Sequence, residues 1–271
     1  MRIYWALFKT ELQSHLQYRI AAVAGAVTNI AFGFFRIFLL TAFYGASQGK
    51  QPMSLSDLYS YVWFGQVLFG VLPVTGMLSS DSEEIRTGDV AYRLTRPVSL
   101  YGFYFARVVG QKVTALCSRS LIQVVLLLTL LPLLGLSRYG MGSPAWGFLP
   151  LLALSLVLTI LLSAAIHTFV YMTGFWTVST RGSSSLAYAV ISLFSGLLVP
   201  LAFFPGGLRT VADVLPFRGV YDTPARLYSG TMSPAEALGG LGHQALWLAV
   251  LVALGVFLAR RGTAKLEVAG G

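Results

Sequence analysis

Charge is scarce in this sequence. Asp, Glu, Lys and Arg make up 11% of the 271 residues, against about 25% in a soluble domain, so most of the surface is not built to face water. Cysteine is nearly absent as well. Cys117 stands alone, which excludes an internal disulfide and any Cys cluster for a metal; it is expected to pack as a small apolar residue. His15, His167 and His243 are the only histidines, and without HxxH or HExxH spacing they give no zinc site. A nucleotide-binding P-loop is also missing. The nearest run, Gly45 to Gln51 (GASQGKQ), is one residue short and puts Gln51 where Mg-bound phosphate needs a hydroxyl. No Asp or Glu falls inside the long apolar runs, and a gradient-driven carrier needs such buried acids.

What the chain has is apolar length. Hydrophobic residues reach 56% and the mean hydropathy is +0.72. A helix rises about 1.5 Å per residue and the hydrocarbon core is about 30 Å thick, so a crossing needs about 20 apolar residues. Six such runs lie at 20–44, 58–79, 113–135, 147–174, 186–204 and 241–259. They are long and continuous, whereas barrel strands would alternate over about 10 residues. The expected fold class is therefore an all-α integral membrane protein with six transmembrane helices, forming a single domain over 1–271. The amphipathic start, MRIYWALFKTELQSHLQYR, does not read as a cleaved signal peptide.

Lys and Arg outnumber Asp and Glu by 19 to 10, a net charge of +9. In this chain the excess reads as topology charge and gives no nucleic-acid partner. With both termini inside, Arg2, Lys9, Arg19, Arg86, Arg93, Arg96, Arg107, Lys112, Arg181, Arg260, Arg261 and Lys265 lie on the cytoplasmic side, while Lys50, Arg138, Arg209, Arg218 and Arg226 lie outside. Residues 1–19 place Ile3, Leu7, Phe8, Leu12 and Leu16 near a 3.6 period, which predicts a helix lying in the interface with membrane lipid. Residues 205–240 are too polar to cross and too apolar for an ordinary loop. Leu208, Val211, Ala212 and Leu215 form one stripe, a second helix is expected near Pro224, and Ser233, Pro234 and Glu236 read as N-cap, first-turn proline and capping-box acid. Short re-entrant outer helices between spans five and six are expected here.

Within the spans, Arg36 lies in the middle or outer half of the first run, where a cation without a partner costs at least about 2.5 kcal/mol. It is a candidate for the transport path or a subunit interface, with snorkelling to the headgroups as the alternative. Ala21, Gly25, Asn29 and Gly33 share one face of the same run, and Ser192 and Gly196 another; close helix packing, or an interface between subunits, is what such faces serve. Arg119 is expected to snorkel inward. Tyr59, Tyr61, Trp63, Trp146, Tyr171, Phe175 and Trp176 fall near span ends, as an interfacial aromatic belt does.

The densest charge is in Ser79 to Arg107, SSDSEEIRTGDVAYRLTRPVSLYGFYFAR, between runs two and three. Ser80 and Glu83 have capping-box spacing, Gly88 is a helix stop and Pro97 blocks continuation, so one compact helix and a turn are expected.

These residues carry a resemblance. Glu84, Ile85, Arg86, Thr87, Gly88 and Asp89, continuing through Leu94, Arg96, Pro97 and Val98, resemble the pattern of the type-2 permeases of ATP-binding-cassette (ABC) exporters. LPFRGVYDTPARLYSG (Leu215 to Gly230) is similar to that family's Leu-Pro-Phe and Pro-to-Gly region, and the LEVAGG ending (Leu266 to Gly271) to its short Gly-Gly tail. The resemblance covers nearly the whole chain and is nearest to bacterial exporters that pair small permeases with a separately encoded ATPase. It implies a bacterial cytoplasmic-membrane subunit with cytoplasmic termini and no cofactor of its own. ATP and Mg would be bound by cytosolic ABC ATPase subunits, and the second permease would be identical or homologous. It also implies that the 80–105 loop holds the coupling helix, with Glu83, Glu84, Arg86, Gly88 and Asp89 docking the ATPase. The alternatives are a gradient-driven secondary transporter and a non-transporting scaffold. No pattern in the sequence names a substrate.

Overall fold

The structure is a computed structural model that describes residues 19–46, 51–72, 90, 99–177 and 180–264. The predicted interfacial helix at 1–19 and nearly all of the 80–105 loop lie outside the described residues, apart from Arg19, Val90 and the stretch from Ser99 onward. Among the described residues every regular element is helical. The helices are α1 (Arg19–Ala46), α2 (Leu55–Leu68), α3 (Leu100–Ala115), α4 (Leu121–Leu133), α5 (Leu149–Thr173), α6 (Thr180–Phe194), α7 (Gly206–Val214), α8 (Asp222–Ser229) and α9 (Pro234–Thr263).

Four described helical stretches are long and apolar enough to cross a bilayer: Ala22–Ala46, Leu100–Leu133, Trp146–Thr173 and Pro234–Thr263. Three of them lie close to the predicted first, fourth and sixth runs. The Leu100–Leu133 crossing departs from its prediction by starting well before residue 113. Ser99 caps α3 by accepting from the Gly102 N–H at 3.2 Å, so the helix starts at a strong signal inside the polar stretch and the end of the 80–105 loop is helical. A π-helical turn, Leu116–Ser120, joins α3 to α4 without a break.

The second and fifth runs differ more. α2 is 14 residues long, and its chain turns through Phe69–Leu72 instead of continuing as one helix to 79. Pro73 follows, and a residue before proline is driven out of the helical region. α6 ends at Phe194, and Gly196 (φ +90) then turns the chain. Only glycine accepts that conformation without strain, so the predicted 186–204 run is a helix followed by a turn and a short 3₁₀ segment, Leu201–Phe203.

Lipid tails are as apolar as Leu, so helix association in a membrane depends on close approach and hydrogen bonds. α1 follows that rule. A Cβ added at Gly33 would strike the Trp63 ring of α2, and one at Gly25 would lie 2.8 Å from the Arg119 guanidinium. Arg119 is thus laid against α1, which is where it differs from the predicted snorkel. α5 and α9 form the most extensive helix pair, pinned by a buried polar knot. Gln244 Nε2 donates to the Gly219 carbonyl at 2.6 Å and to Thr159 Oγ1 at 3.1 Å, and Ser155 Oγ donates to Gln244 Oε1 at 3.0 Å.

The aromatic belt requires correction. Trp146 and Trp176 are exposed, but Tyr59, Tyr61, Trp63 and Tyr171 are buried, and Phe175 packs on Gly262. Gly33 makes room for Trp63 and Gly262 for Phe175. Cys117, expected to be packed inside, is exposed on the π-helical turn.

Candidate functional site

Glu83, Glu84, Arg86, Gly88 and Asp89, the docking residues that the resemblance implies, lie outside the described residues. The two other singled-out residues, Asn29 and Arg36, both belong to α1 and have different surroundings. Asn29 is buried, and its Nδ2 donates to Gln123 Oε1 of α4 at 3.4 Å. Its partner is therefore within the chain, on the face that also carries Gly25 and Gly33.

Arg36 reaches the junction where α2 meets the segment after α6. Its guanidinium lies beside the Tyr221 hydroxyl. Its Nε and Nη2 are buried and have no hydrogen-bond partner among the described residues. Arg36 also lines a cavity of about 370 Å³ between α1 and the turn before Phe203.

Next to Arg36 is a group that the sequence did not reveal. Tyr61 Oη of α2 donates to Asp222 Oδ1 at 3.0 Å, and Tyr221 Oη donates to the Tyr61 carbonyl at 2.8 Å. Asp222 is 3% exposed. Burial raises its pKa above the usual carboxyl range, opposed by the nearby Arg226 and Arg209 and by the Tyr61 hydrogen bond. Burial likewise pushes the Tyr221 phenol up to about 12, opposed by Arg36. Asp213 gathers two more cations at the rim, accepting from Arg209 Nε at 3.0 Å and Arg218 Nη1 at 2.9 Å. Asp222 escaped the sequence reading because it opens a short outer helix outside every apolar run. The surrounding arginines, Arg209, Arg218 and Arg226, were the available signal.

The 137–145 connection closes this outer cap. Trp63 Nε1 donates to the Tyr139 carbonyl at 2.5 Å, Tyr228 Oη donates to the Gly142 carbonyl at 2.5 Å, and the Gly142 N–H donates to Ser60 Oγ at 3.0 Å. α2, α8 and the connection are therefore held as one unit.

A second polar site lies where α2 ends. The carbonyls of its last turn and of the turn that follows lack helical partners, and side chains from three other elements take them up. Lys112 Nζ donates to the Leu72 carbonyl at 2.6 Å, Ser163 Oγ to the Val71 carbonyl at 2.5 Å, and Ser120 to the Val67 carbonyl. Lys112 is 2% exposed. An ammonium at a helix C-terminus complements the negative end of the helix dipole, so the broken end of α2 is tied to both α3 and α5.

A chain with a broken helix tied by a buried lysine, and with a buried acid at the start of a short helix, has the irregular polar interior that membrane transport proteins carry among otherwise apolar spans. No curated protein matches this chain. The family profile described as ABC-2 family transporter protein matches residues 28–270, a stretch that includes α2, the Lys112 site, the outer cap and α9. The match extends over far more than half of the sequence, and the chain belongs to the ABC-2 family of transporter proteins.

Proposed function

We propose that this chain is the permease subunit of an ATP-driven ABC exporter, forming half of a translocation path and coupled to a separate cytosolic ATPase. The observation that carries the reading is the family match over 28–270 in a chain without a P-loop of its own. In this reading the energy comes from a partner.

In this reading the chain crosses six times. α2 with the residues that follow it, and α6 with its following turn, supply the two crossings beyond the four long helical stretches. Both termini lie in the cytoplasm of a bacterial cell, and two permeases, identical or homologous, enclose the path. The Ser80 to Asp89 segment docks the ATPase through Glu83, Glu84, Arg86, Gly88 and Asp89. ATP and Mg stay with that partner. ATP can shift the membrane equilibrium only if the docked segment is held differently in inward-open and outward-open states.

Copurification in mild detergent tests this directly. A bound ABC ATPase and, for a heteromeric pair, a sister permease are expected, and liposomes holding both should transport only with ATP. Full transport by the chain alone in liposomes would overturn the reading. Buried Asp222 favours a second reading, a proton-coupled carrier. That reading requires transport driven by a pH gradient without ATP and abolished by Asp222→Asn.

A further inference from the structure

The cavity beside Arg36 is built unlike the rest of the outer surface. Leu39 and Phe43 of α1 form one wall, and Leu198, Val199 and Phe203 form the other. Its volume of about 370 Å³ lies within the range of small-molecule sites, about 300–1,000 Å³. Arg36 is the only charged residue lining it, and no carboxylate lines it among the described residues.

The two nitrogens of Arg36 that have no hydrogen-bond partner are Nε and Nη2. Their N–H groups form the side-on edge of the guanidinium, the fork that matches a carboxylate or phosphate with two parallel hydrogen bonds. The guanidinium is hydrogen-bonded to the Tyr221 hydroxyl, and Nε and Nη2 are left over from that bond to receive an acidic group. Arg36 lies roughly 25 Å along α1 from its start, so the fork sits in the outer half of the helix.

We propose that this cavity binds an anionic amphiphile, its acidic headgroup held by Arg36 and its hydrocarbon chain lying along Leu39, Phe43, Leu198, Val199 and Phe203. Hydrocarbon gains little on leaving lipid for an apolar wall, so the selectivity of the site resides in the charge. The site does not depend on ATP coupling, and its occupancy is read without an ATPase.

The test uses the full chain in a neutral detergent and three probes of equal chain length: dodecanoate, dodecanol and dodecylammonium. Bound ligand is counted by native mass spectrometry above the titration range of the acid. Dodecanoate is expected to bind at least about tenfold more tightly than the other two, as a charge-assisted hydrogen-bonded pair provides. Arg36→Gln should bring dodecanoate down to the level of dodecanol, while Arg36→Lys keeps part of the preference. Leu198→Trp, which fills the cavity from the opposite wall, should weaken all three probes.

In nanodiscs, displacement of dodecanoate by phosphatidylglycerol but not by phosphatidylcholine assigns the natural ligand to membrane lipid. Retention of dodecanoate against both assigns it to a free amphiphile. Equal binding of the three probes, or a folded Arg36→Gln protein with unchanged dodecanoate binding, overturns the proposal. So does a Leu198→Trp protein that loses self-association while the probes are bound without discrimination, because the cavity then belongs to a second copy of the chain.

Discussion

Tyr61 and Tyr221 interlock across the junction of α2 and α8. Tyr221 Oη donates to the Tyr61 carbonyl at 2.8 Å, and the two rings meet edge to face with centroids 4.9 Å apart. A hydroxyl and a ring are thereby spent on one turn of α2, which fixes α8 to α2 by a polar and an apolar contact at once. Tyr61 passes the connection on to Asp222 and lies against Gly196. Three segments of the chain far apart in sequence converge on this one tyrosine.

The contact depends on Gly65. A Cβ there would overlap the Tyr221 ring, and buried overpacking costs about 1–3 kcal/mol. Gly65→Ala is expected to lower the melting temperature of the detergent-solubilised protein. Tyr221→Phe combined with Gly65→Ala should not restore it, because the clash is with the ring and not only with its hydroxyl. Recovery in Tyr221→Ala, Gly65→Ala relative to Tyr221→Ala alone would identify the pair as the source.

Asp222 should give the fold a pH dependence. Burial raises its pKa, so between the ordinary carboxyl value and the raised one the folded chain holds a proton that the unfolded chain has released. This contribution to stability is complete below about pH 4 and is lost as pH rises through the raised pKa. Asp222→Asn keeps an oxygen for the Tyr61 hydroxyl and removes the titration. Melting temperature followed upward from about pH 4 should fall less steeply in that variant than in the parent. An identical slope in both would exclude Asp222 as its source.

The capping box at Ser233 was readable because it is local. The Ser233 N–H donates to Glu236 Oε2 at 2.8 Å, and Ser233 Oγ accepts from the Glu236 N–H at 3.3 Å. Three of the four long helical stretches were readable because apolar length alone specifies them, and the fourth only from residue 113 onward, because its first turns from Leu100 lie in a polar stretch. The close-approach face of α1 was readable too, since Gly25, Asn29 and Gly33 all meet neighbouring helices inside the chain. The end of α2 was not readable from hydropathy, because Phe69 to Leu72 are as apolar as a span. What marks the turn is Pro73 together with partners distant in sequence, Lys112 and Ser163. Asp222 was hidden for the same reason: its burial is supplied by Tyr61, 161 residues away. Buried tyrosines read as a belt because a ring packed on a glycine and a ring at a headgroup look alike in sequence.

Lys112 gives a prediction for the end of α2. Lys112→Met keeps the apolar stem but leaves the Leu72 carbonyl without its 2.6 Å donor. Loss of a hydrogen bond of this kind costs about 0.5–1.5 kcal/mol, and the variant should melt earlier by a corresponding amount. Limited proteolysis should also cut sooner in the segment following Leu72, since the tie from α3 is lost. A variant that melts and resists cleavage like the parent would mean that Ser163 and Ser120 hold the end of α2 unaided.

The proposed docking of an ATPase can be separated from folding in the charged segment between the second and third apolar runs. Glu83→Ala with Glu84→Ala removes two carboxylates that lie outside every apolar run, and substitutions that disturb no packed core usually alter stability by less than about 0.5 kcal/mol. Membrane insertion and melting temperature should therefore stay near those of the parent. Transport coupled to ATP should fall by about tenfold or more if the two acids together supply a charge-assisted contact worth about 1.5–3 kcal/mol. The two measurements must diverge for the assignment to stand: a variant that inserts normally and transports at the full ATP-driven rate places the coupling contact on other residues.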